Sequence, residues 1–430
     1  MSDKLLTGTS EEDPTRAVVL HPDITSDRTR RDAGPALDEA VALAAALPGL
    51  QVVGSQVVRL PKMHAGFLFG SGKIEEIKQQ IEEHEAGLVL IDGHVTPVQQ
   101  RNLEKAWGVK LLDRTGLILE IFADRAATRE GVLQVELAAL SYQRTRLVRA
   151  WTHLERQRGG LGFVGGPGET QIEADRRAID DAVNRIRRQL AKVVKTRSLH
   201  RSARKKVPFP IVALVGYTNA GKSTLFNRLT GAEVMAKDML FATLDPTMRG
   251  VKLPDGTEVI LSDTVGFISD LPTQLVAAFR ATLEEVLDAD LIVHVRDIAH
   301  KETAEQARDV EAILADLGVN RDTPMIEVWN KIDLLSEEAR GGLVNTAERK
   351  HEVFALSAIT GEGLDQLLGA VKGLLSPPRH ISELDLTHSE GRKRAWLYEQ
   401  GVVEAEEQGE QSTHLTVNWT DRQQEVFERL

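Results

Sequence analysis

Residues 211–229, IVALVGYTNAGKSTLFNRL, decide the fold of much of this 430-residue chain. An apolar run typical of a buried strand leads into GYTNAGKS at 216–223, which reads G-x-x-x-x-G-K-S, and a segment with helical apolar spacing follows. Glycines let the backbone curve so that successive N–H groups face phosphate oxygens, and the helix N-terminus adds the positive end of its dipole. The segment therefore predicts a strand, a phosphate-binding loop and a helix.

Two further motifs predict how the phosphates and a magnesium ion are held. DTVGF at 263–267 places Asp263 at a strand end, where it can hold a magnesium-bound water, and Gly266 where its N–H can sense the γ-phosphate. FATLDPT at 241–247 offers Thr243 as the second Mg²⁺ ligand, with Thr247 as the competing choice. From the P-loop, Lys222 should reach the β- and γ-phosphates and the Ser223 hydroxyl should bind Mg²⁺. We thus expect Lys222, Thr243 and Gly266 to serve catalysis, and Ser223 and Thr243 to bind metal.

Two motifs that each follow a predicted strand indicate guanine as the base. In NKID at 330–333, Asp333 can accept from N1–H and the 2-amino group of guanine, whereas adenine offers neither donor. A buried carboxylate facing the wrong base would stay unpaired, which costs free energy. In SAIT at 357–360, the Ala358 N–H is expected to meet guanine O6. The five motifs in their order along the chain predict a GTPase; a nucleotide-binding relative that does not hydrolyse stays a weaker alternative.

The complete set of predicted GTP-binding residues comes from these five stretches. It is Gly216, Tyr217, Thr218, Asn219, Ala220, Gly221, Lys222, Ser223, Thr224, Phe241, Ala242, Thr243, Leu244, Asp245, Asp263, Thr264, Val265, Gly266, Asn330, Lys331, Ile332, Asp333, Ser357, Ala358 and Ile359. A second glycine-rich stretch, GFLFGSGK at 66–73, has different spacing, and we interpret it as a turn and a helix start.

Composition restricts the class of protein further. The chain has no cysteine, which excludes disulfides, thiolate zinc sites and cysteine nucleophiles and fits a reducing cytosol. The N-terminus is polar and acidic, and the longest apolar run, at 41–47, is far shorter than the ~20 residues that cross a bilayer. We expect a cytoplasmic protein without a membrane partner.

Patterning along the chain divides it into four regions. Residues 1–127 alternate short apolar runs with helical patterns, which favours a mostly parallel α/β domain. Residues 128–207 carry two heptad-like seams, each with one arginine, separated by a glycine-rich break, which predicts an antiparallel helical hairpin. Residues 208–376 form the P-loop GTPase domain, with a mixed, mostly parallel sheet and helices on both faces, and 377–430 a small C-terminal domain. The fold class is α/β multidomain.

The predicted hairpin is strongly basic although the whole chain has a net charge of −11. Residues 141–206 contain 17 Lys and Arg against 6 Asp and Glu, a net charge of +11. A solvated helix face is the ordinary interpretation of such a run, but its excess of one sign and its glycine-rich tip favour contact with RNA phosphates. The predicted RNA-binding residues are Arg144, Arg146, Arg149, Arg156, Arg158, Arg185, Arg187 and Arg188.

Taken together, the motifs resemble the HflX family of ribosome-associated GTPases. The resemblance is carried by GFLFGSGKIEEI, TREGVLQVELAAL, WTHLERQRGGLGFVGGPGETQIEADRR and FATLDPT, whereas the last fifty residues match loosely. It implies binding of rRNA on the 50S subunit, nucleotide-dependent dissociation of 70S particles and recovery of stalled ribosomes under stress, with GTP and GDP as ligands. We expect a monomer.

The resemblance also bears on hydrolysis. Phe267 stands where a Ras-like enzyme has the glutamine that orients water, as a hydrophobic residue does in this family. Another group, in the switch loops or on the partner, must then hold the water, so slow turnover stimulated by the ribosome is expected. Asn219 occupies a position that resembles the K⁺-binding asparagine of potassium-activated GTPases. The alternative that its side chain only forms hydrogen bonds with the backbone of the loop stays open.

Two other functional classes remain alternatives at this point. GTPases that assist tRNA modification share the hydrophobic switch residue and the P-loop asparagine, and a role in ribosome assembly is also compatible with the motifs. A scaffold could instead use the hairpin to bind a protein, and a salt titration separates that from phosphate binding, which weakens steeply with salt.

Overall fold

The computed structural model describes most of the chain and separates it into two compact units, residues 1–369 and 370–430. The described residues are 14–27, 30–157, 167–204, 209–232, 240–241, 243–244, 247–254, 256–269, 284–320, 322–350, 352–375, 379–387, 389–409 and 412–428. The second unit therefore begins slightly before the boundary at 377 expected from the sequence.

The N-terminal domain is built on a parallel sheet. Its elements are β1 (Thr15–Ile24), α1 (Ala33–Ala45), β2 (Leu50–Leu60), α2 (Ser71–Glu83), β3 (Leu88–Ile91), α3 (Pro97–Trp107), β4 (Lys110–Asp113) and α4 (Arg114–Arg125). The strand order is β2-β1-β3-β4. All pairs are parallel, which confirms the parallel α/β arrangement that the alternating pattern predicted. GFLFGSGK is a turn followed by the start of α2, as interpreted from its spacing. Helix α4 was not predicted.

Two long helices follow, α5 (Arg129–Gln157) and α6 (Pro167–Arg204). They pack against each other, and Arg144 on α5 forms an ion pair with Asp180 on α6 at 2.8 Å. Leu133 on α5 and Val183 and Ile186 on α6 belong to the two predicted heptad-like seams, and all three are buried. Residues 158–166, which make up most of the glycine-rich break, lie outside the described residues.

The GTPase domain surrounds a six-stranded sheet of order β10-β9-β8-β5-β7-β6. Its described elements are β5 (Ile211–Gly216), α7 (Lys222–Thr230), β6 (Thr247–Lys252), β7 (Glu258–Asp263), α8 (Glu284–Leu287), β8 (Leu291–Asp297), α9 (Thr303–Leu317), β9 (Met325–Asn330), a 3₁₀ turn (Ile332–Leu334), α10 (Glu337–Glu348), β10 (Val353–Ala355) and α11 (Leu364–Leu375). Only β6 is antiparallel to its neighbour, which confirms the mixed, mostly parallel sheet. Because β5, β7, β8, β9 and β10 run in parallel, their carboxyl ends meet at one edge, where the motifs lie.

Within residues 1–369 the N-terminal and GTPase domains share one hydrophobic cluster. Phe122 on α4 and Phe241, from the FATLDPT stretch, lie edge to face with ring centroids 4.6 Å apart. Leu117 on the same helix and Ile268 after the DTVGF stretch are buried in the same cluster. An aromatic pair of this geometry adds free energy beyond its buried area, so this apolar contact helps to hold the domains together.

The second unit has an antiparallel sheet of its own. Strands β11 (Arg379–Thr387), β12 (Val403–Gln408) and β13 (Ser412–Thr420) pair in the order β11-β13-β12, with helices α12 (Gly391–Glu399) and α13 (Asp421–Glu428). Trp419 and Phe427 pack together in its core with ring centroids 5.2 Å apart. Across the part of the chain that the structure describes, neither unit contains a helix long and apolar enough to span a bilayer.

We expect the buried His294 on β8 to make the stability of the GTPase domain depend on pH. Burial lowers its pKa to about 4, against the opposing effect of Glu327. Below the unfolded value of about 6.5 the unfolded chain therefore binds more protons than the folded one. The free energy of unfolding should fall by roughly 3 kcal/mol at most as pH drops from about 6.5 to about 4. Urea unfolding of the wild type and of His294→Asn at pH 7, 6 and 5 measures this, and equal pH slopes would contradict it.

Candidate nucleotide site

The loop at 216–221 curves as a phosphate cradle requires. Gly216 has φ 151°, and a Cβ there would lie 2.1 Å from the carbonyl oxygen of Val295. Gly221 has φ 94°, and a Cβ there would lie 2.2 Å from Nδ2 of Asn330. Side chains at these two positions would collide with fixed groups, so only glycine allows the close approach of β5, β8 and β9 around the loop.

Lys222, the lysine of the loop, is almost fully buried. Its Nζ donates to the carbonyl oxygens of Gly216 at 3.0 Å and Tyr217 at 2.9 Å. Burial lowers the pKa of Lys222 to about 8, partly offset by the nearby carboxylate of Asp263. A phosphate in the cradle would favour the charged amine and raise that pKa again. The geometry thus fits a lysine whose charged form is stabilised by an anionic ligand.

Ser223, Thr243 and Asp263 converge beside the lysine. Oδ2 of Asp263 accepts from the Ser223 hydroxyl at 2.7 Å and from the Thr243 hydroxyl at 3.0 Å, and the two hydroxyl oxygens are 2.9 Å apart. Burial raises the pKa of Asp263, although Lys222 and the hydroxyls act in the opposite direction. The other predicted choice, Thr247, begins β6 and lies opposite Asp263 in the strand pairing.

This group of oxygens fits a magnesium ion held together with phosphates. Oδ1 of Asp263 is buried and has no hydrogen-bond partner among the described residues, so it can accept from a metal-bound water. Hard oxygen donors are the ligands that Mg²⁺ prefers, and it commonly keeps several waters. Within the described residues no cluster of three or more His, Asp or Glu side chains could hold a metal ion.

The DTVGF segment pairs directly with the phosphate-binding loop. The Thr218 N–H donates to the Phe267 carbonyl at 2.7 Å, and the Phe267 N–H donates to the Gly216 carbonyl at 3.1 Å. The Phe267 side chain is fully buried. A Cβ on Gly266 would lie 2.8 Å from Cα of Thr218, so this position too requires glycine. The segment therefore lies against the loop, and the Phe267 ring is part of the core.

The NKID and SAIT segments meet at the other end of the loop. Asn330 donates from Nδ2 to the Ala220 carbonyl at 2.8 Å and accepts at Oδ1 from the Ala358 N–H at 2.9 Å. In this structure the Ala358 N–H is directed at the amide oxygen of Asn330, and its contact with guanine O6 stays a prediction. Lys331 forms an ion pair with Asp297 at 2.8 Å. Oδ1 of Asp333 is buried and unpaired within the described residues, which suits a base that brings its own donors.

Several predicted GTP-binding residues turn their side chains into the protein instead. Phe241, Leu244 and Val265 are buried in the shared hydrophobic cluster, because the chain around the cradle also forms the domain junction. The Thr264 hydroxyl donates to the Leu214 carbonyl at 2.6 Å. Only the backbone of these four residues can face a nucleotide. Ala242 and Asp245 lie outside the described residues.

The remaining predicted residues fall into two groups. Ile332 and Ser357 are buried and Ile359 is exposed at the base end of the site. Thr218, in the loop itself, is buried, and its hydroxyl has no partner among the described residues. Asn219 follows with φ 59°, a conformation that asparagine tolerates better than most residues.

The predicted RNA-binding arginines differ in their surroundings. Arg185, Arg187 and Arg188 on α6 are exposed, and Arg144 is exposed but paired with Asp180. The guanidinium of Arg146 is turned toward the N-terminal domain, where Nη1 lies 3.0 Å from Oδ2 of Asp113, and its contact with RNA stays a prediction. The same group donates to Tyr142 and Gln100. The side chains of Arg149 and Arg156, and all of Arg158, lie outside the description.

Sequence reasoning missed one set of polar residues behind the cradle. The hydroxyl of Tyr217 donates to Oε2 of Glu39 on α1 at 2.6 Å, and Arg31 and Arg114 bind the same carboxylate. Glu39 lies in an ordinary amphipathic helix and is separated from Tyr217 by 178 positions, so no motif or spacing joins them in the sequence.

Comparison with known proteins agrees with this site. Four family models cover nearly the whole chain: GTP-binding GTPase N-terminal at 35–123, GTP-binding GTPase Middle Region at 125–204, 50S ribosome-binding GTPase at 211–331 and HflX C-terminal domain at 342–430.

Individual relatives match over similar lengths. GTPase HflX of Magnetococcus marinus is 49% identical over 94% of this chain and 92% of its own, and GTPase HflX of Escherichia coli is 45% identical over 91% and 90%. A GTP-binding protein of Sulfolobus solfataricus, solved with GDP, is 24% identical with a TM-score of 0.44, over 83% of this chain and 98% of that one. From the curated relatives and the family models, the chain belongs to the HflX family of GTPases, P-loop enzymes that bind and hydrolyse GTP.

Proposed function

We propose that this GTPase is a cytoplasmic, monomeric ribosome factor that binds the 50S subunit through its basic hairpin and dissociates or rescues stalled 70S ribosomes. The observation that carries the proposal is the exposed row of Arg185, Arg187 and Arg188 on α6, in the same compact unit as the nucleotide site. The family description of residues 211–331 as a 50S ribosome-binding GTPase supports the choice of partner. Folded rRNA presents the dense phosphates that such a surface attracts.

In this proposal the site residues divide the phosphates and the metal among themselves. Lys222 binds the β- and γ-phosphates, while the hydroxyls of Ser223 and Thr243 hold Mg²⁺ and Asp263 holds one of its waters. Their convergence within 3.0 Å supports the assignment. When bound, Mg²⁺ would supply positive charge that offsets the negative charge of the phosphates. The N–H of Gly266 donates to the γ-phosphate, so the DTVGF segment responds to whether that phosphate is present.

The buried Phe267 accounts for the low turnover that we propose for the isolated protein. Its ring is fully enclosed and carries no group that could orient water. A donor or acceptor supplied by the ribosome, or brought into place by ribosome binding, would then complete the site. We therefore propose that 50S subunits stimulate GTP hydrolysis.

We also propose that K⁺ binds near Asn219 and supplies positive charge at the phosphates. Asn219 lies in the middle of the cradle, and its side-chain carbonyl oxygen is a group that could ligate the cation. Turnover in buffers with equal concentrations of KCl or NaCl tests it: the rate should be higher in K⁺, and equal rates would remove the proposal.

Replacing Asp333 with asparagine should change the base that the site accepts. The carboxylate would no longer accept from N1–H and the 2-amino group, so GTP affinity should fall by about a hundredfold or more. An amide can donate to the 2-oxo group of xanthine, so affinity for xanthosine triphosphate should rise. Calorimetry with both nucleotides measures this. Asp365→Asn, an exposed position at the start of α11, is the matched control and should leave both affinities unchanged.

Charge reversal of Arg185, Arg187 and Arg188 together should abolish co-sedimentation with 50S subunits in the presence of a non-hydrolysable GTP analogue. GTP affinity should stay the same, because none of these side chains lies in the nucleotide site. The matched control reverses Lys301, Arg308 and Lys350, three exposed basic residues of the GTPase domain, and should bind 50S normally.

The same sedimentation run with 70S ribosomes and GTP, GDP or the analogue separates splitting from binding. Release of subunits with GTP or the analogue, but not GDP, supports ribosome dissociation. Unchanged co-sedimentation of the reversed variant would refute the hairpin as the binding surface, and binding that hardly responds to salt would favour a protein partner.

A further inference from the structure

The loop that follows β10 is closed on itself. It runs from Ser357 to Gly363, and we call it the SAIT loop. The Ser357 N–H donates to the Glu362 carbonyl at 3.0 Å, and the Ser357 carbonyl accepts from the Gly361 N–H at 2.8 Å. The Ser357 hydroxyl accepts from the Thr360 N–H at 3.1 Å. These hydrogen bonds hold the backbone of the loop in a compact turn.

Two glycines allow the turn to lie close to its neighbours. Gly363 has φ 80°, and a Cβ there would lie 2.3 Å from the carbonyl oxygen of Ala355 on β10. Gly361 has φ 92°, and a Cβ there would lie 2.5 Å from Nη2 of Arg228. A side chain at either position would therefore be strained. The second glycine leaves room for an arginine from another element.

That arginine connects the SAIT loop to the phosphate end of the site. Arg228 lies in the last turn of α7, the helix that begins at Lys222. Its Nη2 donates to the Thr360 carbonyl at 3.1 Å. The helix that carries the phosphate-binding lysine is thus hydrogen bonded to the backbone of the SAIT loop.

A second arginine holds the loop from the opposite segment of the base site. Arg340 on α10 forms an ion pair with Glu362 of the loop. The hydrogen bond from Glu362 raises the pKa of Arg340 above its usual value, and the carboxylate of Asp333 acts in the same direction. Asp333 belongs to the NKID segment, so Arg340 lies beside both segments that we assign to guanine.

The two segments leave apolar side chains uncovered where the base is expected. Ile359, which follows Ala358 in the SAIT loop, is 67% exposed, and Leu334, which follows Asp333, is 65% exposed. A planar base that accepted these contacts would lie between the segments. It could leave only if one of them moved away from the other.

The energies of the two arginine contacts suit control of such a movement. An exposed ion pair adds little to the stability of a domain, and a solvated surface contact is the simpler interpretation of either one alone. Here two arginines from different helices end on the same short loop. Even a small free energy changes the frequency of a local opening severalfold.

We propose that Arg228 and Arg340 hold the SAIT loop closed over the guanine base and thereby set the rate at which nucleotide is released. Both are positioning residues, which act through the Thr360 carbonyl and the Glu362 carboxylate. This inference rests on the proposed assignment of Asp333 and the SAIT loop to guanine, and it is independent of ribosome binding.

The test is the release of GDP that carries a fluorescent N-methylanthraniloyl group from the full-length protein, chased with unlabelled GDP in the absence of ribosomes. Arg340→Gln, Glu362→Gln and Arg228→Gln should each accelerate release by about threefold, the size expected for one exposed ion pair or hydrogen bond. Arg340→Lys keeps the charge and should stay near the wild-type rate. The matched control is Arg308→Gln, which breaks an exposed ion pair with Glu305 on α9 and should not change release.

Double variants show which contacts act together. Arg340→Gln with Glu362→Gln should be no faster than Arg340→Gln alone, because both remove the same ion pair. Arg340→Gln with Arg228→Gln should accelerate release by about tenfold, because these contacts are separate. In 1 M NaCl the difference between the wild type and Arg340→Gln should shrink, since salt screens an exposed pair. The rate of a single turnover of GTP hydrolysis should stay unchanged, because the substitutions leave Lys222 in place.

The outcomes separate the loop contacts from the assignment of the base. Wild-type release rates in folded Arg340→Gln and Arg228→Gln proteins would overturn the proposal, and so would equal acceleration by Arg308→Gln, which would indicate a general loss of stability. Asp333→Asn is measured beside them. If it weakens GDP binding while the arginine variants release GDP normally, the guanine site stands and the role of the arginines is wrong. If it leaves GDP binding unchanged, the base lies elsewhere and the proposal fails with that assignment.

Discussion

The backbone pairing between Phe267 and the phosphate-binding loop is the interaction on which the site depends. Two hydrogen bonds, from Thr218 N–H and to the Gly216 carbonyl, continue the sheet beyond β5 and β7. They bring Asp263 beside Ser223 and Thr243, and they bring Gly266 onto Thr218. A glutamine side chain at position 267 could stay in the site without being buried. A phenylalanine side chain is held in place because burial of its apolar ring is favourable. Phe267 therefore lacks the amide that would orient water, but its buried ring anchors the DTVGF segment.

The N-terminal domain connects the nucleotide site to the two basic helices, α5 and α6. Arg146 on α5 binds Asp113 at the end of β4, and Arg114, one residue later, binds Glu39 and the carbonyl of Ser269 in the GTPase domain. The base of the hairpin and the wall of the cradle thus meet the same end of the same strand. A change in the DTVGF segment has a short, packed route to α5, which the proposed attachment to RNA would require if the nucleotide is to control it.

Much of the nucleotide site could be predicted because its residues lie in short motifs whose chemistry requires them. The two glycines, Gly216 and Gly221, could be predicted because the backbone must curve around a phosphate. Lys222 could be predicted because the phosphate needs one fixed cation. The choice of Thr243 over Thr247 agrees with the observed geometry, since Thr243 reaches Asp263 through its hydroxyl. The sequence did not show where a residue makes a second contact. The side chains of Phe241 and Val265 pack in the domain junction and Arg146 pairs with Asp113, because charge and proximity in sequence do not reveal which face is covered.

The sequence by itself determined the local chemistry: the strand, loop and helix of the cradle, a carboxylate at Asp333 that is able to accept from guanine, the parallel pairing of the N-terminal strands and the basic character of the hairpin. These follow from spacing within a few residues and from composition. Tertiary structure alone decided which groups from distant segments meet, above all Glu39 with Tyr217, 178 positions apart. The physical reason is that burial and hydrogen bonding between domains depend on how whole surfaces pack, and a glutamate on a helix looks the same in sequence whether it faces water or a tyrosine.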